Sequence, residues 1–285
     1  MQSLAFGLPD VPVRMGAWAL KLVDRLILQS YAPLSVVGLY SVGYTLGSAL
    51  FEVIASSVNS AILPFVYRTA RDEPESRAKR IFAALAAYDA ALLAFLALAA
   101  ILFAREVLVV LAAPDYLAAE TVVALVAWAS VFQCLTHVPT RAVYLAKRTG
   151  SLPVVLLVPA LLNIGLNLAL IPRHGMMGAA WATLLAYPVM LALSAWAAQR
   201  AYPIPYDYGR IAKPLAIALV LSLAKAAIPT EPIVVAVSLK ALVLGTFPLA
   251  LLASGFLGPE ERAAVTRLAS RVAHAPSPVV DRREP

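Results

Sequence analysis

Basic side chains recur along one side of the first apolar segment of the sequence. Arg14, Lys21 and Arg25 lie at positions i, i+7 and i+11, which at about 100° per helical residue fall within roughly 40° of one another. Because a charge inside a bilayer is costly, such residues usually face a bundle interior or a water-filled cavity. The spacing therefore predicts a polar, net-positive wall along a path through the membrane. In the alternative interpretation, the cations extend to lipid headgroups or pair with Asp24 and Glu52.

The next apolar segment carries polar residues at the same spacing. Its positions i, i+7, i+11 and i+18 hold Ser41, Ser48, Glu52 and Asn59. On a continuous α-helix these four residues would share one face. An acid inside a membrane is a candidate proton carrier, so Glu52 is a candidate coupling residue. A structural ion pair with Lys21 or Arg25 is the alternative.

Amide side chains occur in two later apolar segments. Gln133 belongs to a partial polar stripe, and Asn163 and Asn167 lie one helical turn apart. The paired asparagines could hydrogen-bond a sugar or a neighbouring backbone, and Gln133 could be a functional residue or could hydrogen-bond a neighbouring helix. Both interpretations are open from the sequence.

Motifs for enzymatic or metal chemistry do not occur in the sequence. His137, His174 and His274 lack zinc-ligand spacing. There is no Walker A motif, no G-x-S-x-G motif and no carboxylate pair suited to glycosyl transfer. The single cysteine, Cys134, excludes a disulfide within the chain and a cysteine-based metal cluster. We therefore expect neither an enzyme nor a cofactor or metal.

The composition predicts an all-α, polytopic transmembrane helical bundle. Hydrophobic residues make up 61% of the chain and its mean hydropathy is +0.81, whereas soluble domains are about 45–50% apolar. The net charge of +7 is explained by basic loops on the cytoplasmic side of a membrane protein. No basic tract is interleaved with aromatic residues, so we expect membrane lipids and no nucleic acid as partners.

Apolar and polar stretches alternate in an order that predicts about eight spans. Their approximate ranges are 11–28, 35–63, 81–103, 121–144, 152–171, 177–198, 212–228 and 233–257. The sequence also predicts a charged loop over residues 67–80, a short interfacial helix within residues 105–120 and a turn over residues 171–175. The tail combines a basic amphipathic segment, expected on the membrane surface, with a charged, proline-rich end, expected to be disordered.

Loop charges predict the orientation. Sixteen Lys and Arg residues fall in one alternate set of loops and the tail, whereas the opposite set holds three, Arg105, Arg173 and Lys225. The positive-inside rule makes the first set cytoplasmic. With an even number of spans, both termini are then cytoplasmic.

Four short stretches, in order, resemble one transporter family. They are Gly7-Leu8-Pro9, Asp24-Arg25-Leu26-Ile27-Leu28, the run from Val37 to Tyr44 and the run from Ala169 to Thr183. Over about residues 5–215 the chain resembles the C-terminal half of Wzx-like polysaccharide-biosynthesis flippases. These belong to the multidrug/oligosaccharidyl-lipid/polysaccharide exporter superfamily.

The resemblance implies an architecture and a function. Residues 5–200 would form a six-helix transporter lobe, residues 201–257 two additional transmembrane helices, and residues 258–285 a cytoplasmic tail. The implied activity is the flipping of an undecaprenyl-diphosphate-type oligosaccharide across the bacterial inner membrane by alternating access, in cell-surface polysaccharide (O-antigen) biosynthesis. The family's first lobe is missing, so we expect a truncated or half transporter, with a separate chain as a candidate source of that lobe.

The same resemblance implies roles for the polar residues. The expected substrate-binding residues are Arg14, Lys21, Arg25, Ser48, Asn59, Gln133, Asn163 and Asn167, and the expected coupling or charge-pair residues are Asp24 and Glu52. Clustered cations would offset the desolvation of a diphosphate. The alternatives are a drug/cation antiporter of the same superfamily and a non-transporting membrane assembly subunit. A glycan polymerase or ligase would need a larger outer loop with catalytic groups.

Overall fold

The computed structural model describes residues 22–258 and residue 261, and these residues form helices joined by short connections. The helices are α1 (22–31), α2 (Leu34–Leu50), α3 (Ser56–Asp72), α4 (Glu75–Leu111), α5 (Glu120–Leu135), α6 (His137–Leu145), α7 (Leu152–Ala201), α8 (Tyr208–Leu223) and α9 (Ile233–Ala253). A π-helical turn joins α2 to α3, and 3₁₀ turns cover Pro114–Ala119, Thr149–Ser151 and Ala224–Ala227. No strand occurs in these ranges.

Five helical segments are long and apolar enough to cross a membrane. They are Leu34–Asp72, Glu75–Leu111, Pro114–Leu145, Thr149–Ala201 and Ile233–Ala253. The predicted fold class, an all-α polytopic bundle, is therefore confirmed. Most of the first predicted span, including Arg14 and Lys21, lies outside the described residues.

The longest segment bends sharply at Gly175. Gly175 has φ 55° and ψ −132°, a conformation that glycine adopts far more readily than other residues. Pro172 comes one turn earlier and cannot donate the helical hydrogen bond. The bend brings the two arms together, because a Cβ on Gly178 would lie 2.5 Å from the Leu170 carbonyl oxygen. The turn predicted over residues 171–175 is thus confirmed as a kink between two arms, each able to span a bilayer.

The charged loop predicted over residues 67–80 is wrong for most of its length. α3 continues to Asp72 and α4 already begins at Glu75, so the connection is only Glu73 and Pro74. Proline disfavours the helical conformation for the residue before it, and Glu73 is extended, with φ −104° and ψ 150°. The charges lie on helix ends, where an i,i+4 pair such as Glu75 with Lys79, at 2.7 Å, adds a little stability.

The connection after α4 also differs from the prediction. α4 extends to Leu111, beyond the span end expected near residue 103. The expected interfacial helix is the 3₁₀ turn Pro114–Ala119, which leads directly into α5.

Small residues allow the central helices to approach closely. α5 packs against α2, α4 and α7. A Cβ on Gly43 would lie 2.8 Å from the Val122 Cβ, and a Cβ on Gly47 would lie 2.9 Å from the Val126 Cβ. Such contacts are typical of membrane helices, which associate through small interfacial residues.

α8 and α9 pack together on the side of α4. Leu98 and Leu102 of α4 meet Ala218 of α8 and Phe247 of α9 in one buried cluster. The opposite side of α9 exposes aliphatic residues, among them Val234, Leu242 and Leu249. Exposed aliphatic residues along a helix of 21 residues suit contact with lipid.

Connections that the charge pattern assigns to the same side of the membrane meet in the structure. At one end of the bundle, Lys225 after α8 lies 2.6 Å from Glu120, the first residue of α5. At another end of the bundle, the Lys79 ammonium lies 4.7 Å from the ring centre of Tyr202. This contact joins the start of α4 to the end of α7. Which end is cytoplasmic stays a prediction.

Candidate functional site

The second polar stripe is interrupted by the π-helical turn Phe51–Ala55. A π-turn adds one residue to a helical turn, so it rotates the following residues by about 100° relative to a continuous α-helix. Ser48, before the turn, is buried and donates a 3.4 Å hydrogen bond to the Thr45 carbonyl. Glu52 is exposed and Asn59 is half-buried. Ser48 therefore does not share a face with Glu52 and Asn59.

A buried arginine joins three helices beside the π-turn. Arg141 of α6 donates to the Asn59 Oδ1 of α3 from Nη2 at 2.8 Å and from Nε at 3.1 Å. Its Nη1 also donates to the Asp89 Oδ2 of α4 at 3.1 Å. The side chains of Arg141 and Asp89 are each only 11% exposed. One guanidinium thus bridges an amide and a carboxylate within an apolar bundle.

Residues around this bridge line a small cavity. His137, one helical turn before Arg141, contributes to its wall together with Val58, Leu92 and Cys134. Arg141 and Asp89 were not among the predicted site residues, although both are charges inside predicted spans. The rule that intramembrane charges pair with one another was the signal that could have found them.

A polar surface extends from the bridge along the start of α3 and back into the π-helical turn. We call it the α3 polar face and define it by Glu52, Ser56, Asn59 and Ser60, which follow i, i+4, i+7 and i+8 spacing. Ser56 donates to the Glu52 carbonyl, and Ser60 donates to the Ser56 carbonyl at 2.9 Å. Because the serine protons are used within the helix, their lone pairs remain for a hydrogen-bond donor outside it. Glu52, Ser56 and Ser60 are exposed.

Arg25 belongs to a second polar cluster at the junction of α1 and α2. Its Nε donates to the Ser41 Oγ at 3.1 Å, and its guanidinium lies 4.8 Å from the ring centre of Tyr44. The neighbouring Asp24 is 2% exposed and accepts hydrogen bonds from the Tyr40 hydroxyl and from the Arg25 backbone N–H. Arg25 is thus held by aromatic and polar contacts between helices.

The remaining predicted site residues lie elsewhere. Asn167 Nδ2 donates to Asn163 Oδ1 at 2.9 Å, and both residues are buried. Within the described ranges, the Asn167 Oδ1 has no hydrogen-bond partner. Gln133 is half-buried on α5. The structure thus brings Asn59 into the Arg141 cluster, whereas Asn163 and Asn167 pair with each other.

Metal ligands do not converge in the part of the chain that the structure describes. No group of three or more His, Cys, Asp or Glu side chains there is placed to hold a metal ion.

Comparison with known proteins bears on the fold of the chain. No protein-family model matches the chain, and no curated protein matches its sequence. A solved structure is similar, lipid II flippase MurJ in an inward closed conformation, with a TM-score of 0.65 and 14% sequence identity. The match covers 89% of this chain and 55% of that one, so this chain spans about half the length of the flippase. The chain is an integral membrane protein with this polytopic helical fold.

Proposed function

We propose that the chain is one lobe of a transporter that flips a lipid-diphosphate-linked oligosaccharide from the cytoplasmic to the outer leaflet. Residues 5–200 would form the lobe, residues 201–257 the two additional helices and residues 258–285 a cytoplasmic tail. Transport would occur by rocking of this lobe against a second one, with no bond made or broken. We propose that the chain lies in the bacterial inner membrane, with both termini cytoplasmic, as the loop charges predict.

The α3 polar face, with the Arg141 bridge beside it, is the observation that carries this function. It lies on a segment of 39 residues that is otherwise apolar enough to span a membrane. An exposed carboxylate such as Glu52 is costly against acyl chains. We therefore expect the α3 polar face to contact water or another polypeptide, as it would in a transport cavity between two lobes. A flippase fold over most of the chain supports the same conclusion.

The chemistry of the bridge suits a diphosphate. A guanidinium is a planar fork that binds phosphate oxygens through two parallel hydrogen bonds. Two of the three hydrogen bonds of Arg141 go to the neutral amide of Asn59, which a phosphate can replace with a stronger, charge-assisted contact. Asp89 would hold the guanidinium during that exchange. Arg25, Arg14 and Lys21 are further candidate cations, and the serines of the α3 polar face are candidate partners for sugar hydroxyls.

Binding and flipping can be measured separately. The full chain is reconstituted in nanodiscs, and its affinity for a fluorescent undecaprenyl-diphosphate oligosaccharide is compared with that for a labelled lipid without phosphate. Arg141→Gln removes a charge-assisted contact, so we expect roughly tenfold weaker binding. Arg80→Gln, which removes an exposed charge near the start of α4, should leave the affinity unchanged.

Flipping is followed in proteoliposomes as loss of the label to an external quencher. The chain, alone or with a co-reconstituted second lobe, should make the glycolipid cross the bilayer faster than it does in empty vesicles. Movement of a cationic dye without movement of the glycolipid would favour the antiporter interpretation. Equal affinity for both lipids, or unchanged binding by Arg141→Gln, would overturn the proposal.

A further inference from the structure

A cavity of about 550 Å³ lies at the end of the bundle where the α4–α5 and α8–α9 connections meet. It shares no lining residue with the Arg141 cluster and is a separate feature of the fold. The cavity extends to Lys240, about 10 Å along α9 from the start of that helix. Its volume falls within the range of small-molecule sites, roughly 300–1,000 Å³.

The charges on the cavity wall leave an excess of positive charge. Arg105 and Lys225 share one carboxylate, that of Glu120, at N–O distances of 3.9 and 2.6 Å. Lys240 also lines the cavity and is paired separately with Glu106, at 2.5 Å. The side chain of Lys240 is only 3% exposed, so this cation is built into the wall. Two cations against a single carboxylate leave room for one anionic group.

The rest of the wall is amphipathic. Hydroxyl groups come from Thr121, Ser222 and Thr230, and apolar surface comes from Ile101, Trp128 and Leu223. A free phosphate ion would use the cations and leave the apolar surface empty. A lipid with an anionic headgroup uses both, because its phosphate pairs with the cations and its acyl chain covers the apolar surface.

We propose that this cavity binds one anionic phospholipid and thereby fixes α8 and α9 to the six-helix lobe. The phosphodiester contacts Arg105 and Lys225, and headgroup hydroxyls contact the polar wall. An acyl chain lies against Trp128 and Leu223. This site does not depend on the proposed transport function, because its occupant is a membrane lipid and not the cargo.

Native mass spectrometry of the purified full chain tests the site. Detergent micelles are supplemented with phosphatidylglycerol or with phosphatidylcholine of the same acyl chains. One phosphatidylglycerol should remain bound, with roughly tenfold higher affinity than phosphatidylcholine, because both lipids carry a phosphodiester but phosphatidylcholine adds a cationic group that the excess positive charge of the wall disfavours. Equal binding of the two lipids overturns the proposal.

Variants separate the cavity from general attraction to a basic protein. Arg105→Gln combined with Lys225→Gln should abolish the preference, whereas Arg68→Gln combined with Arg80→Gln removes two exposed charges outside the cavity and should preserve it. Ala226→Trp narrows the cavity, retains every charge and should also abolish the bound lipid. Thermal unfolding of each variant in detergent verifies that it is folded, and loss of the preference in the control pair as well would contradict the site.

Competition experiments show whether the cavity binds a phospholipid, free phosphate or the glycolipid cargo. Millimolar inorganic phosphate should not displace the bound phosphatidylglycerol, since it offers nothing to the apolar wall. Displacement by phosphate would show a simple anion site instead. Displacement by substoichiometric undecaprenyl diphosphate would assign the cavity to the glycolipid cargo. Either result overturns the proposal.

Discussion

Arg141 and Asp89 form an ion pair between α6 and α4, with the guanidinium Nη1 3.1 Å from the carboxylate Oδ2. Both side chains are almost completely removed from solvent, and Asn59 accepts the other two hydrogen bonds of the guanidinium. Arg141, Asp89 and Asn59 therefore hold α3, α4 and α6 together, and Asn59 belongs to the α3 polar face.

Breaking this pair should destabilise the protein strongly. Asp89→Asn or Arg141→Gln leaves one charge buried without its counterion, which costs about 3 kcal/mol of unfolding free energy. The double variant should lose less than the sum of the two single variants, because no lone charge remains. Denaturant titration of the four proteins in detergent measures this coupling.

The matched control is the ion pair of Arg71 and Asp72, whose side chains are 80% and 53% exposed. Exposed pairs contribute little, so Arg71→Gln and Asp72→Asn should show no measurable coupling. Additive effects at Arg141 and Asp89 would mean that the buried pair is not a stabilising contact.

Gly43 should not tolerate even a methyl group. Its Cβ would lie 2.8 Å from both the Ala119 carbonyl oxygen and the Val122 Cβ, so Gly43→Ala should separate α2 from α5. Overpacking of this kind costs about 2 kcal/mol. Gly245→Ala, on α9, is the control, since a Cβ there meets no atom within 4 Å. The thermal unfolding temperature should be lower than that of the native chain for Gly43→Ala, and unchanged or higher for Gly245→Ala.

The sequence predicted those features that depend on local chemistry. Ile171-Pro172-Arg173-His174-Gly175 carries a proline and a glycine, and the kink lies at that glycine. The loop charges grouped Arg105 with Lys225, and both contact Glu120 in the structure. Apolar runs of span length predicted the helical bundle itself.

Features that arise from packing between distant residues could not be predicted in this way. Nothing in Phe51-Glu52-Val53-Ile54-Ala55 marks a π-turn, so the sequence predicts one face for Ser48 and Glu52, although one is buried and the other exposed. Arg141 and Asp89 lie 52 residues apart in the chain, and only the packing of α4 on α6 brings them together.

The kink at Gly175 should require glycine. With φ 55° and ψ −132°, an alanine would be held in a conformation that costs about 1–3 kcal/mol. Gly165→Ala, in the first arm of the same helix, is the matched control. A Cβ at Gly165 meets no atom within 4 Å, and alanine favours a helix over glycine by about 1 kcal/mol. The two variants should therefore shift the unfolding midpoint in opposite directions, and a shift in the same direction would contradict the kink geometry.

Protonation of Glu261 at acid pH should lower the stability of the folded protein. Burial alone raises the pKa of its carboxyl, but hydrogen bonds from Arg210 and from the Gly258 N–H outweigh burial and lower that pKa below its ordinary value of 4.5. A group whose pKa is lower in the folded state stabilises that state above its unfolded pKa. This stabilisation is lost as the pH falls through the folded value.

The stability difference between the native chain and Glu261→Gln should therefore be constant from neutral pH down to about pH 5 and shrink below 4.5. Thermal unfolding in detergent at a series of pH values measures it. Asp115→Asn removes an exposed carboxylate from the Pro114–Ala119 turn and should leave the profile unchanged. A stability difference that grows on acidification would mean that folding raises the pKa of Glu261. That result would contradict a stabilising contact between Arg210 and Glu261.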